Sequence, residues 1–316
     1  MNYERGLLLA NRYRLDDVIA VGGMGQVWRA LDETLQRPVA VKVLRPGAAH
    51  QDVFLERFRA EARNCAALQH PNIVTVHDFG EGRHSAYLVM ELIEGQPLSA
   101  VLEARGALPP DEASEILTQA AMALQAAHDA GVIHRDVKPA NIVVDGDGYA
   151  RLTDFGISKA AAGSELTHTG EVLGTAHYLS PEQLQGQPAG PSSDIYSLAV
   201  VGYELVTGTR PFQGESVVTT ALAHVGQPAP ELPDTVPEPL RTTIMAGLAK
   251  RPEHRPESAA AFAEALRLPK GTVPEHLVPG AQSAVSPVIG GAGFAGLVAQ
   301  PAGAQSEIAD LPYTTR

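Results

Sequence analysis

Hydrophobic periodicity changes character once along this chain, at Gly95, and that change limits what it can become. Before it, apolar residues come in short runs broken by glycine and turn residues. These are Tyr13-Arg14-Leu15, Asp17-Val18-Ile19, Val39-Ala40-Val41-Lys42-Val43-Leu44, residues 73–76 and residues 86–92. Runs of that kind read as strands. One stretch departs from them: Phe54, Phe58, Ala62, Cys65 and Leu68 recur at helical spacing, which predicts a helix over 54–68. Beyond Gly95 the helical period takes over. Pro109-Pro110-Asp111 opens a helix through Leu117, Ala120, Ala121, Leu124 and Ala127, and Gly131 stops it. Further helices are expected over 193–206, 240–249 and 258–266. The fold class is therefore α+β, a mostly-sheet part with one helix followed by a mostly-helical part.

At 316 residues the chain is long enough for one large domain or two average ones. Its 24 Lys+Arg against 36 Asp+Glu argue against nucleic acid as a partner, because phosphate backbones are bound by clustered cations. The single cysteine, Cys65, cannot form an internal disulfide, which points to a reducing, cytoplasmic setting. Glu4, Arg5, Arg12 and Arg14 surround only a short apolar run at 6–10, so no secretory signal pattern is expected there. From about 269 to 316 glycine, alanine and proline dominate, and 271–306 hold one charge, Glu275. This reads as a flexible tail. Its most apolar stretch, 284–299, is 16 residues long and interrupted by Pro287 and glycines, whereas a membrane span takes about 20 apolar residues. Membrane association is thus not expected, with anchoring through this stretch as the alternative.

Four motifs carry the chemistry. Gly22-Gly23-Met24-Gly25-Gln26-Val27 lies between two strands, where glycines let a backbone approach phosphate oxygens; alone it equally describes a simple turn. No Walker pattern G-x-x-x-x-G-K-[ST] accompanies it. Lys42 sits mid-strand and either faces solvent or faces inward and needs a counter-charge, for which Glu61 on the following helix is the natural choice. His134-Arg135-Asp136-Val137-Lys138-Pro139-Ala140-Asn141 packs three ionisable groups, a proline and an amide between the apolar flanks Val132-Ile133 and Ile142-Val143-Val144. Structure alone does not call for such a loop. An aspartate there can accept a hydroxyl proton and the asparagine can ligate Mg²⁺. Finally, Asp154-Phe155-Gly156 follows the strand-like 150–153 and offers a second oxygen ligand.

In this order the motifs resemble the eukaryotic-type serine/threonine protein kinases, and the resemblance spans about residues 10 to 268. Ser180-Pro181-Glu182, Asp194 and Arg255 match as well, and Gly22–Gly25 with Thr167-His168-Thr169 resemble bacterial, actinobacterial-type members. The resemblance implies a bilobal fold, with an N-terminal extension at 1–12, an N-lobe about 13–92 and a C-lobe about 96–268. It implies ATP and Mg²⁺ (or Mn²⁺) as cofactors and serine or threonine residues of proteins as acceptors. Asp136 would be the proton acceptor, assisted by Lys138 and Thr175. Asn141 and Asp154 would hold the metal. Glu61 would position Lys42 on the phosphates, beneath a loop made by Ala20, Val21, Gly22, Gly23, Met24 and Gly25. Val27, Ala40 and Val143 would sandwich the purine behind Met90, with the backbone of Glu91 and Ile93 hydrogen-bonded to it. Cys65, Val76, His134 and Phe155 would stack as a spine braced by Asp194, and Glu182 would pair with Arg255.

Arg135 beside Asp136 further implies control by phosphorylation between Asp154 and Glu182, with Thr167 and Thr169 the expected sites and Ser164 third. A homodimer through the N-lobe follows from the resemblance alone. One departure stands out: Ala20 occupies the place of the family's first loop glycine, which an extended backbone tolerates. A pseudokinase would lack Lys42, Asp136 or Asp154, and a small-molecule phosphotransferase would lack Lys138 and Ser-Pro-Glu.

Overall fold

The computed structural model describes residues 3–22, 25–44, 52–82, 85–155 and 176–267. The chain divides into two units, Met1–Ala281 and Gln282–Arg316, and every described residue belongs to the first. The expected tail at 269–316 lies outside the described residues.

The N-terminal strands are β1 (Leu8–Leu9), β2 (Tyr13–Gly22), β3 (Gly25–Asp32), β4 (Arg37–Leu44), β5 (Val76–Gly82) and β6 (Ser85–Glu91). They form one antiparallel sheet in the order β1-β2-β3-β4-β6-β5, with α1 (Asp52–Ala66) between β4 and β5. Strand alternation explains why β4 is apolar on both sides. Val39, Val41 and Val43 join Trp28, Tyr87 and Val89 in a core closed by Leu9, Tyr13 and Leu15. Ala40 and Leu44 turn the other way, into the main core with Phe58, Ala62 and Cys65 of α1. Lys42 shares that second side, which settles the orientation that alternation in the sequence left open.

The helical lobe contains α2 (Leu98–Arg105), α3 (Pro110–Asp129), α4 (Pro181–Leu184), α5 (Pro191–Thr207), α6 (Val217–Gly226), α7 (Glu238–Gly247) and α8 (Ala259–Arg267). Proline at its first position and Asp111 and Glu112 in its first turn start α3; Gly131 follows it at φ 74°. Helix α5 is apolar nearly all round and buried from Ser193 to Tyr203, as a central helix must be. Gly202 lets α3 and α7 close on it, because a Cβ there would sit 2.9 Å from Leu117 and 3.1 Å from Ile244. A small sheet of β7 (Gly95–Pro97), β8 (Ile142–Asp145) and β9 (Ala150–Leu152) covers the face toward the N-lobe.

Two features differ from the sequence expectation. Residues 73–76 were expected as a strand, but the ladder begins only at Val76. Ile73 instead makes an isolated parallel bridge with Leu152, because this segment crosses to the other lobe. Helices α2 and α6 carry no clear amphipathic signal: α2 buries only Leu98, while Val218 and Leu222 of α6 stand 67% and 64% exposed.

A buried ion pair ties α4 to the segment before α8. Arg255 donates to both Glu182 oxygens at 2.7 and 2.8 Å, and Ser193 donates to the same carboxylate at 2.7 Å. The other guanidinium bonds go to the carbonyls of Ala249, Ser192 and Lys250. Burial alone would raise the Glu182 carboxyl, but these donors hold it down, at about 2. Its stabilisation is therefore complete above the ordinary glutamate value of 4.5 and is lost as pH falls toward 2. Glu182→Gln leaves a buried guanidinium without its counter-charge and is expected to cost about 3–5 kcal/mol in denaturant unfolding at pH 7. The same variant should flatten the acid limb of the stability profile between those two values.

Candidate active site

The loop at 134–141 is shaped by a buried carboxylate beneath it. Asp194 of α5 accepts hydrogen bonds from the backbone N–H groups of His134 and Arg135, at 2.9 and 2.8 Å, and lies 2.8 Å from His128 Nε2. Arg135 adopts φ 63°, a left-handed conformation that costs a non-glycine residue on the order of 1 kcal/mol. Two charge-assisted hydrogen bonds to adjacent N–H groups offset that cost and force the chain to turn there. His128 carried no signal in the sequence beyond being a polar residue on an apolar helix face.

The imidazole of His134 is wholly buried, and desolvation pushes its pKa below the ordinary histidine value, so it stays neutral. Its Nε2–H donates to the carbonyl of Thr153 at 3.0 Å, leaving Nδ1 to accept from the N–H of Asp136 at 3.3 Å. One neutral ring thus ties the 134–141 loop to the residue before Asp154. Thr153 ties it again: its N–H and hydroxyl both donate to the carbonyl of Asn141, at 2.9 and 3.3 Å. No sequence motif had marked Thr153. Phe155 packs against His134 with ring centroids 4.6 Å apart, and Cys65 and Val76 belong to the same apolar cluster.

These ties bring the chemistry-bearing side chains together. Lys138 Nζ donates to Asp136 Oδ2 at 2.8 Å, and Asn141 Nδ2 donates to the same oxygen at 3.1 Å and to the Asp136 carbonyl at 2.8 Å. Lys42 Nζ lies 2.8 Å from Asp154 Oδ1, with both side chains largely shielded from solvent. Asp154 itself sits at φ 58°, a second left-handed residue in the cluster. Glu61 lies on α1, but its side chain is outside the described residues, as are Gly23, Met24, Ser164, Thr167, Thr169 and Thr175.

The oxygen donors suit a hard dication. Because the Asn141 amide nitrogen is engaged with Asp136, its Oδ1 is turned away from that contact, and the Asp154 carboxylate supplies charge. Mg²⁺ is commonly held by one or two protein oxygens together with substrate phosphates rather than by a full protein cage. No three His, Cys, Asp or Glu side chains form a metal cluster among the described residues.

Ala20 pairs with Val27 and Gly22 with Gly25 across the β2–β3 hairpin. Ala20 and Val21 are both exposed strand residues. At Gly25 a Cβ would collide with the carbonyl of Val43, so only glycine fits. Val27 pairs with Lys42 and Ala40 with Met90, which puts these side chains beside one another on adjacent strands. Val143 lies on β8 opposite Pro97. Glu91 donates its N–H to the carbonyl of Thr75 at 2.9 Å and pairs with Val39 at the end of β6. Ile93 is half-buried two residues on. Ala20 already occupies a strand, so Ala20→Gly is expected to change ATP affinity less than about tenfold (1.4 kcal/mol) in a calorimetric titration.

Residues 13–266 match the model of the protein kinase domain. The chain is 49% identical over 271 residues to the serine/threonine-protein kinase PknA of Mycobacterium tuberculosis, covering 84% of this chain and 63% of the relative. It is 44% identical over 257 residues to the serine/threonine-protein kinase PrkC of Bacillus subtilis, covering 80% and 40% respectively. Among solved structures, the PknI kinase domain of Mycobacterium tuberculosis aligns with TM-score 0.67 at 30% identity, covering 84% of this chain and 98% of that one. The chain thus spans less than two thirds of the length of these curated relatives.

Proposed function

The chain belongs to the protein kinase family, and on that premise we propose that it is a serine/threonine protein kinase, moving the γ-phosphoryl group of ATP to serine and threonine hydroxyls of proteins. The observation that carries this reading is the continuous set of hydrogen bonds joining Asp136, Lys138, Asn141 and Thr153 directly ahead of Asp154 and Lys42. Phosphoryl transfer asks little covalent work of a protein; positioning and charge neutralisation supply most of the rate. The hydrogen bonds of Asp136 and the Lys42–Asp154 pair support giving both tasks to these groups.

Asp136 accepts the hydroxyl proton of the acceptor residue. Its Oδ2 is held by Lys138 and Asn141, which fixes the plane of the carboxylate toward the incoming oxygen. Lys138 also places a positive charge beside the oxygen where negative charge develops. Lys42 shifts from Asp154 to phosphate oxygens when nucleotide enters, with Glu61 as its second partner. Asn141 and Asp154 would hold Mg²⁺ (or Mn²⁺), which would neutralise phosphate charge. The purine lies between Val27 and Ala40 above and Val143 below, its polar edge on the backbone of Glu91 and Ile93.

Phosphate on Thr167 or Thr169 would form a charge-assisted pair with Arg135 and so control the site. Protein substrates are the principal partners. A second copy pairing through the N-lobe is also part of the proposal, on the family resemblance alone. No described helix is long and apolar enough to cross a membrane, and a cytoplasmic location rests on the lone, buried Cys65. Lys42, Asp136 and Asp154 together disfavour a pseudokinase, and the Glu182–Arg255 pair after Ser180-Pro181 disfavours a small-molecule phosphotransferase.

Autophosphorylation of purified wild type beside Asp136→Asn, with phosphosite mapping, tests the reading. Asp136→Asn should bind ATP within about threefold of wild type while incorporation falls by about two orders of magnitude, the lower end of general-base contributions. Undiminished incorporation would remove Asp136 from its role. In the active wild type, Thr167 or Thr169 should carry phosphate, and a map with both bare would remove the loop-control proposal.

A further inference from the structure

We infer that Asn72 and Gln119, remote from the reacting groups, form an amide clasp that sets the position of Asp154 and so tunes metal-dependent turnover; the inference rests on the kinase reading above. Asn72 lies in the segment linking α1 to β5, and its Nδ2 donates both to Gln119 Oε1 at 2.9 Å and to the carbonyl of Ala150 at 2.8 Å. Gln119 Oε1 in turn accepts from the N–H of Ala150 at 2.8 Å, while its Nε2 donates to the carbonyl of Gly148 at 3.2 Å and to Glu115 Oε1 at 3.1 Å. Both sides of the Ala150 residue are therefore held by side chains from two different elements. Each amide acts as donor or acceptor as the ring of bonds requires, which no carboxylate or hydroxyl reproduces at both positions.

What the clasp holds is strand β9, which ends two residues before Asp154. Main-chain bonds continue the same junction: Leu152 N–H donates to the carbonyl of Asn72 at 2.9 Å, and Val74 N–H donates to the carbonyl of Leu152 at 3.0 Å. Arg151 adds a bond from Nε to the carbonyl of Pro71 at 3.3 Å. The segment after α1 thus serves as an extra strand for β9, locked from the helical lobe by Gln119. Any displacement of the α1 end, where Cys65 contacts the core beside Phe155, is passed to β9 through these bonds. Asn72 and Gln119 touch neither substrate nor metal, so they are positioning residues.

Asn72→Asp is nearly isosteric but sets a carboxylate against two acceptors, Gln119 Oε1 and the Ala150 carbonyl. In the full chain, it is expected to lower kcat about tenfold, since small misplacements of reacting groups cost factors of this order or more. The half-saturating Mg²⁺ concentration should rise at least about threefold, while KM for the protein substrate stays within about twofold, a split that general loss of stability does not produce. Asn72→Ala combined with Gln119→Ala should be no worse than about twofold below the weaker single variant, because both act through one clasp. Wild-type kcat and Mg²⁺ response in folded Asn72→Asp, or losses that multiply in the double variant, would overturn the proposal. Should Asn72→Asp fail to fold by circular dichroism, the alanine pair decides by the same two criteria. A turnover-free readout separates this inference from the kinase reading: the ratio of ADP dissociation constants without and with Mg²⁺. If wild type incorporates no phosphate, the kinase reading fails alone. The clasp then stands if that ratio drops at least about threefold in Asn72→Asp (or the alanine pair) and falls if it is unchanged.

Discussion

A buried carboxylate on a buried helix organises this molecule. Asp194 lies in the first turn of α5, at 1% exposure, and no fully apolar core would tolerate it without donors. It obtains them from the backbone of His134 and Arg135 and from the His128 ring. An unsatisfied charge in that position would cost several kcal/mol, so the loop has little freedom to leave. Every catalytic candidate between 136 and 141 inherits its position from that bond set. The left-handed turn at Arg135 is the local strain that results, and its location directly before Asp136 is where strain of this kind tends to serve function.

Electrostatic environment then separates what is structural from what is chemical. His134 is so deeply buried that it is held neutral, and it acts only through its hydrogen bonds and its ring contact with Phe155. Glu182 and Arg255 are buried too, but as a fully bonded pair, and they stabilise without being available to a ligand. Lys42, Asp136, Lys138 and Asp154 retain partial exposure, between 16% and 28% of the side chain. Charges in that setting are shielded enough to interact strongly and accessible enough to exchange partners. These four groups can therefore exchange partners, whereas the buried Glu182–Arg255 pair does not.

The two lobes meet through backbone as well as side chains. The Ile73–Leu152 bridge and the flanking bonds at Asn72 and Val74 make one short parallel pairing between the segment after α1 and the strand before Asp154. This places the end of α1 and the strand that leads into Asp154 on a common backbone pairing. The segment after α1 and the strand before Asp154 are thereby joined through backbone without contact between α1 and Asp154 being needed.

Much of this was legible in the residues. The β4 run, the α1 spacing, the Pro–Pro–Asp start and Gly131 stop of α3, and the densely polar 134–141 loop all follow from period, capping and turn chemistry, which act over a few residues. Ordered motifs carried the family and nominated the site residues. Invisible in the sequence were α2 and α6, whose exposed or weakly patterned residues give no period, and the isolated bridge at Ile73. So were Thr153, His128, Asn72 and Gln119, since an ordinary polar residue acquires its role only from whichever distant backbone group it meets. The amino-acid order by itself determined the elements and the chemical inventory, because those depend on neighbours along the chain. Which way Lys42 faces, which carboxylate it meets, and which buried N–H groups Asp194 satisfies were decided by the tertiary structure, because each depends on a partner tens of residues away brought near only when both lobes close their cores.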